Sequence, residues 1–207
     1  MNSIKPKVYV IYYSTYGHVK TLAHKIVEGL KKTDNVDVHV RQFPETLSDE
    51  ILSKMYAPPK DPDIPNATIA DLEDADAILF GFPTRYGTAP AQVKSFWDST
   101  GKLWTSGAMH GKMAGTFFST ASQSGGQEST ALTFLPNLIH HGMIYVPLGY
   151  VNTNLFIVDE VIGGSPWGAG TIANGDGSRQ PSQKELEVAV TQGENFAKIV
   201  AQYLFKK

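Results

Sequence analysis

The run Val8-Tyr9-Val10-Ile11-Tyr12-Tyr13 places the tightest constraint on the fold. These residues are β-branched or aromatic at every position. A strand made from them is therefore apolar on both faces and belongs inside a covered, parallel sheet. The run breaks into Ser14-Thr15-Tyr16-Gly17-His18, after which Val19, Leu22, Ala23, Ile26, Val27 and Leu30 recur at helical spacing. A strand, a hydroxyl-rich turn and a helix N-terminus in that order make an anion cradle. Backbone N–H groups and hydroxyls can donate to a phosphate there, and the helix dipole favours negative charge.

The rest of the chain repeats the alternation. Residues 36–40 predict a peripheral second strand. Residues 44–70 form a long connection carrying Pro44, Pro58, Pro59, Pro62 and Pro65, with a short helix near 49–54, and a connection this long suits a lid or a partner contact. Residues 71–75 read as a helix-to-strand approach to the third strand, 77–82. A helix is expected from Pro90, bearing Val93, Phe96 and Trp97, followed by a fourth strand at 112–118. A helix over 127–141, kinked at Pro136 and stopped by Gly142, leads to a fifth strand at 143–148. Residues 149–181 form a second long loop. Ser182 and Glu185 have the spacing of a capping box opening the last helix. Five strands alternating with helices predict one α/β domain over residues 1–207, a doubly wound parallel sheet with helices on both faces.

Composition narrows the function classes. The net charge is -2 with no Lys/Arg cluster, which gives no electrostatic footprint for nucleic acid. There is no cysteine, so thiolate, disulfide and iron–sulfur chemistry are excluded, and electron transfer would need an organic cofactor. No apolar run approaches the ~20 residues of a membrane span. Residues 1–7 lack the apolar core of a signal peptide, so a cytoplasmic protein is expected, compatible with peripheral association at a membrane. The Asn66-Ala67-Thr68 sequon is read as coincidental in that setting.

Three loops leave the carboxyl ends of the apparent central strands, where ligands bind in such sheets. They are Ser14-Thr15-Tyr16-Gly17-His18, Pro83-Thr84-Arg85-Tyr86-Gly87 and Ser119-Thr120-Ala121-Ser122-Gln123-Ser124-Gly125-Gly126. Nucleotide motifs can be tested against them. Gly107 to Gly111-Lys112 is one residue short of a Walker loop and has Met113 at the Mg²⁺-binding position, and no G-x-G-x-x-G follows the first strand. What remains is a turn suited to a terminal monophosphate.

Tyr13-Ser14-Thr15-Tyr16-Gly17-His18 resembles the FMN-phosphate loop of the flavodoxin-like, WrbA-type NAD(P)H:quinone oxidoreductases. The resemblance continues through Gly81-Phe82-Pro83-Thr84-Arg85-Tyr86-Gly87, Gly101-Lys102-Leu103-Trp104, Gly125-Gly126-Gln127-Glu128, His140-His141-Gly142-Met143 and Gly175-Asp176-Gly177-Ser178-Arg179-Gln180-Pro181-Ser182. It implies a flavodoxin-like sheet of order 2-1-3-4-5, non-covalent FMN, NAD(P)H as co-substrate and two-electron hydride reduction of quinones in two alternating steps, with a role in quinone detoxification. It also implies a homodimer or homotetramer. Carried onto this chain, Ser14, Thr15, Tyr16, Gly17, His18 and Val19 would hold the phosphate, and Pro83, Thr84, Arg85, Tyr86 and Gly87 would line the flavin ring. Ser119, Thr120, Ala121, Ser122, Gln123, Ser124 and Gly125 would border its other side, and His140 would reach the pocket. Tyr16 and Trp104 would meet the nicotinamide and the quinone. The family's third loop is shorter and richer in glycine, so its contacts here are set to within about one residue. The loop at 175–181 would help close neighbouring subunits' sites.

Each residue also has a plainer reading. Trp97 shares helical spacing with Val93 and is expected in the core. His140 and His141 are adjacent and lack the i, i+4 spacing of a metal pair, and either could simply meet the helix dipole. Arg85 could be an ordinary surface arginine. The competing functions are a one-electron flavodoxin-type carrier, for which a charge of -2 supplies little docking field, and a low-turnover flavin-binding scaffold.

Overall fold

A computed structural model describes residues 5–205, so the part of the leader expectation that concerns residues 1–4 lies outside the described residues. In chain order the first half comprises β1 (Lys7–Tyr12), α1 (His18–Lys31), β2 (Asp37–Gln42), α2 (Asp49–Lys54), α3 (Ile69–Asp74) and β3 (Ala77–Pro83). The second half comprises α4 (Ala91–Asp98), α5 (Gly101–Ser106), β4 (Met113–Thr120), α6 (Ser129–His140), β5 (Ile144–Tyr145), a 3₁₀ turn (Thr153–Phe156), β6 (Gly170–Ile172) and α7 (Gln183–Phe205). The sheet order is β2-β1-β3-β4-β5, and every strand pair is parallel. This is the expected flavodoxin-like architecture.

The strand period of two divides the apolar residues between two cores. Val8, Val10 and Tyr12 of β1 pack with Leu79 of β3 against Leu22 and Ile26 of α1 and Phe196 and Val200 of α7. Tyr9 and Ile11 pack with Ile78 and Phe80 against Leu72, Val93, Trp97 and Phe134 from α3, α4 and α6. Trp97 is thus a core residue, edge-on to Phe80 and Phe134. Helices α1 and α7 approach closely because each contributes a glycine at the crossing. A Cβ on Gly29 would lie 2.0 Å from the Val190 carbonyl oxygen, and one on Gly193 would lie 2.1 Å from that of Ile26.

Several expectations need correction. The fifth strand, expected over 143–148, is only Ile144–Tyr145, which pair with Met113 and Ala114. Pro147 has no N–H to continue the ladder, and the chain leaves the sheet. It returns as β6, whose Gly170, Thr171 and Ile172 pair with Phe118, Ser119 and Thr120, so the 149–181 loop contains a sixth strand. The helix-to-strand approach expected at 71–75 is the end of helix α3, which is opened by a reciprocal capping box between Thr68 and Asp71. Trp104 lies beyond α4, on the short helix α5. Helix α6 contains Pro136, as expected, but begins at Ser129. No helix among the described residues is long and apolar enough to cross a membrane.

Candidate functional site

The turn after β1 is shaped by Gly17, which sits at φ +94° with no atom near a would-be Cβ. That left-handed conformation turns the chain into α1, and glycine adopts it without strain. The Gly17 N–H donates to Ser14 Oγ at 3.1 Å, and Arg85 Nη2 donates to Thr15 Oγ1 at 3.3 Å. Both hydroxyls therefore have their acceptor side engaged, and their hydrogens are left to donate. The N–H groups of Thr15, Tyr16, His18, Val19 and Lys20 have no acceptor among the described residues. A cluster of donors with few acceptors, at a helix N-terminus, is chemically suited to an anion. Arg85 adds a cation to a turn that sequence alone supplied only with hydroxyls.

His18 opens α1 and is buried. Its Nε2 lies 2.9 Å from the Arg179 carbonyl oxygen, 161 residues further on. A carbonyl can only accept, so Nε2 carries the hydrogen.

The other loops meet this turn in a cleft of about 420 Å³ lined by Ser14, Thr15, Tyr16, His18, Val19, Pro83, Thr84, Arg85, Ser119, Thr120 and Ala121. Ala173, Asn174, Gly175, Asp176 and Gly177 form a further wall. Sequence reading missed Ala173 and Asn174; Gly175, Asp176 and Gly177 of the following loop line this chain's own cleft. The Thr84 hydroxyl accepts from Gly87 N–H at 3.1 Å and is hydrogen-bonded with Thr130 Oγ1 at 2.8 Å, which fixes the second loop. Thr120 Oγ1 donates to the Ser122 carbonyl and accepts from Gln127 Nε2 at 2.6 Å, which fixes the third.

Several predicted residues stand elsewhere. Tyr86 has φ +55° and is fully exposed beside the cleft. Gln123 and Ser124 line a neighbouring depression with Gly126 and Ile162, and the Gly125 N–H turns back to the Ser122 carbonyl. His140 and Trp104 do not line the cleft at all. They share another depression with Trp97, Pro136 and Asn137.

Beyond Thr15, residues 45–60 enclose a cavity of about 670 Å³. The Tyr16 hydroxyl donates to the Met55 carbonyl at 3.2 Å and ties this segment to the turn after β1. At the back of the cavity the Lys60 ammonium lies 4.0 Å over the Tyr13 ring and 3.4 Å from Glu45. Burial lowers its pKa by more than the Glu45 carboxylate raises it.

Fold and cleft together define a flavodoxin-like α/β protein with a donor-rich turn at the head of its sheet. Residues 6–156 match the family described as NADPH-dependent FMN reductase. A quinone-oxidoreductase, QR2, of Triphysaria versicolor is 57% identical over 90% of this chain and 91% of its own length. The NAD(P)H quinone oxidoreductase YCP4 of Candida albicans is 54% identical over 93% of this chain and 67% of its own length. Among solved structures, a WrbA-like flavodoxin protein from Agrobacterium tumefaciens superposes with a TM-score of 0.65 at 25% identity, covering 96% of this chain and 99% of that one. The chain therefore belongs to the NADPH-dependent FMN reductase family, in its WrbA-type, flavodoxin-like quinone oxidoreductase branch, and is an oxidoreductase.

Proposed function

We propose that this protein is an FMN-dependent NAD(P)H:quinone oxidoreductase that reduces quinones by two electrons in alternating half-reactions and so limits quinone redox cycling. The observation that carries the reading is the donor-rich turn at Ser14 to Lys20, which faces a cleft walled by loops from three other strand ends. The residues fit a flavin mononucleotide. The turn matches a dianionic phosphate, and the pocket between the Pro83 and Ser119 loops suits a planar ring. Bound FMN would supply the hydride-accepting and hydride-donating chemistry that no side chain here offers.

The protein's own contribution is positional. Ser14 and Thr15 hydroxyls and the α1 N–H groups hold the phosphate, and Arg85 adds positive charge from the neighbouring loop. Thr84 and Thr120, locked by Thr130 and Gln127, keep the two ring-facing loops at fixed separation. Tyr16, half exposed at the cleft mouth, offers an aromatic face to an incoming nicotinamide or quinone.

Self-association belongs to the same reading. Trp104 and His140 lie together in a depression that is not the cleft, so they would meet the flavin of a neighbouring copy. The absorption spectrum of the purified protein, with and without added FMN, tests the cofactor. Oxidation of NAD(P)H that accelerates on adding benzoquinone tests the reaction. Ser14→Ala combined with Thr15→Ala is expected to weaken FMN binding by roughly 100-fold to 10,000-fold while leaving the fold intact, since each hydrogen bond to a charged group contributes ~1.5–3 kcal/mol. An unchanged dissociation constant would refute the assignment of the turn.

A further inference from the structure

The wall formed by residues 173–177 is held from behind by one carboxylate. Glu185, in the first turn of α7, is 0% exposed. Its Oε1 accepts from the N–H groups of Gly163 at 2.8 Å and Ile172 at 3.1 Å. Its Oε2 accepts from Thr171 Oγ1 at 2.9 Å and from the Ser182 N–H at 2.7 Å. Arg179 Nη1 donates to both oxygens, at 3.1 and 2.9 Å. A helix cap needs only the Ser182 bond. The remaining bonds gather three separate stretches of the chain onto one side chain.

Arg179 carries the connection to the cleft. Its guanidinium also donates to the carbonyls of Ile172 at 2.6 Å and Val161 at 2.8 Å, so its position is set by the carboxylate and two carbonyls. Its own N–H donates to the Ala173 carbonyl at 3.1 Å, which closes the base of the 173–179 loop. Its carbonyl receives the Nε2–H of His18, the residue that opens the phosphate-facing helix. The chain of contacts therefore runs from Glu185 through Arg179 to both the loop wall and the anion turn.

We propose that Glu185 is a positioning residue for the cofactor phosphate, acting through Arg179 on His18 and the 173–177 wall; this rests on the reading of the cleft as a flavin mononucleotide site. A glutamine at this position keeps the shape but replaces one acceptor oxygen with an NH₂ group. That group would face the donors of Thr171, Ser182 and Arg179, and the guanidinium would lose its counter-charge. The loop and His18 would then be released, whereas the ring-facing residues Pro83, Thr84 and Arg85 make no contact with Glu185.

The test compares FMN with riboflavin, which has the same ring but no phosphate, by fluorescence titration of Glu185→Gln and Arg179→Lys. Lysine keeps the charge but cannot span the carbonyls of Ile172 and Val161 together with the carboxylate. Arg179→Lys thus carries the test should Glu185→Gln fail to fold. The expected result is FMN affinity reduced roughly 10–100-fold, the loss of about one charge-assisted hydrogen bond, with riboflavin affinity unchanged. Equal weakening of both ligands, or no change in FMN affinity, would overturn the proposal. If the wild-type protein binds neither flavin, the cofactor reading fails by itself. The clamp is then judged by amide hydrogen exchange at residues 173–177, where faster exchange in Arg179→Lys supports it and unchanged exchange refutes it.

Discussion

At the scale of single residues, the site depends on hydrogen bonds that sort donors from acceptors. Glu45 shows how such bonding outweighs burial. Burial alone would raise its pKa, but bonds from Gln92 Nε2, the Leu47 N–H, the Tyr13 hydroxyl and the Thr46 N–H hold the carboxyl below its ordinary value. A carboxyl with a depressed folded-state pKa adds stability above the unfolded value of 4.5, and that stability is lost as pH falls through the lower folded value. We therefore expect the urea midpoint to drop below pH 4.5 more steeply in the wild type than in Glu45→Gln. Parallel profiles for the two proteins would show that Glu45 makes no such contribution. The Gly17 turn, by contrast, was legible at this scale from the chain alone. Its hydroxyls and glycine are neighbours in sequence, and a turn followed by a helix depends on little else.

At the scale of elements, the crossing of α1 and α7 turns helix propensity against expectation. Glycine within a helix costs about 1 kcal/mol relative to alanine, yet Gly29 and Gly193 sit in helix interiors. Their role is packing, because a methyl group on either would strike the opposite backbone. We expect Gly193→Ala to destabilise the protein by about 1–3 kcal/mol in chemical denaturation despite its better propensity. Gly101→Ala is the control. It opens α5, and a Cβ there meets nothing within 4 Å. That substitution should be neutral or slightly stabilising, and an equal loss at both sites would contradict the packing account. The capping box at Ser182 was visible in sequence as a helix start. That its glutamate also gathers Gly163, Thr171, Ile172 and Arg179 was not, because those partners come from other segments.

At the scale of the molecule, the cleft is an assembly of strand ends, so ligand binding and global stability should be linked. A ligand that binds only the folded state at 100 times its dissociation constant adds about 2.7 kcal/mol. For a chain of this size that corresponds to a Tm increase of roughly 5–10 °C. Differential scanning fluorimetry with increasing FMN should show this rise, with a smaller one for riboflavin. A Tm indifferent to FMN would remove the cleft from consideration as its site.

The amino-acid sequence by itself determined the alternation of strands and helices, the parallel sheet and the hydroxyl- and glycine-rich turn after β1. Each of these is written in local periodicity, in hydroxyl and glycine placement or in composition. Only the tertiary structure decided where the fifth strand ends and the sixth begins, because that depends on which segment finds the free edge of β4. It also decided that Arg85 reaches Thr15 across 70 positions and that His18 meets Arg179 across 161. In the same way it separated Trp104 and His140 from the cleft. Such contacts follow from how the chain closes on itself, and residue spacing carries no record of it.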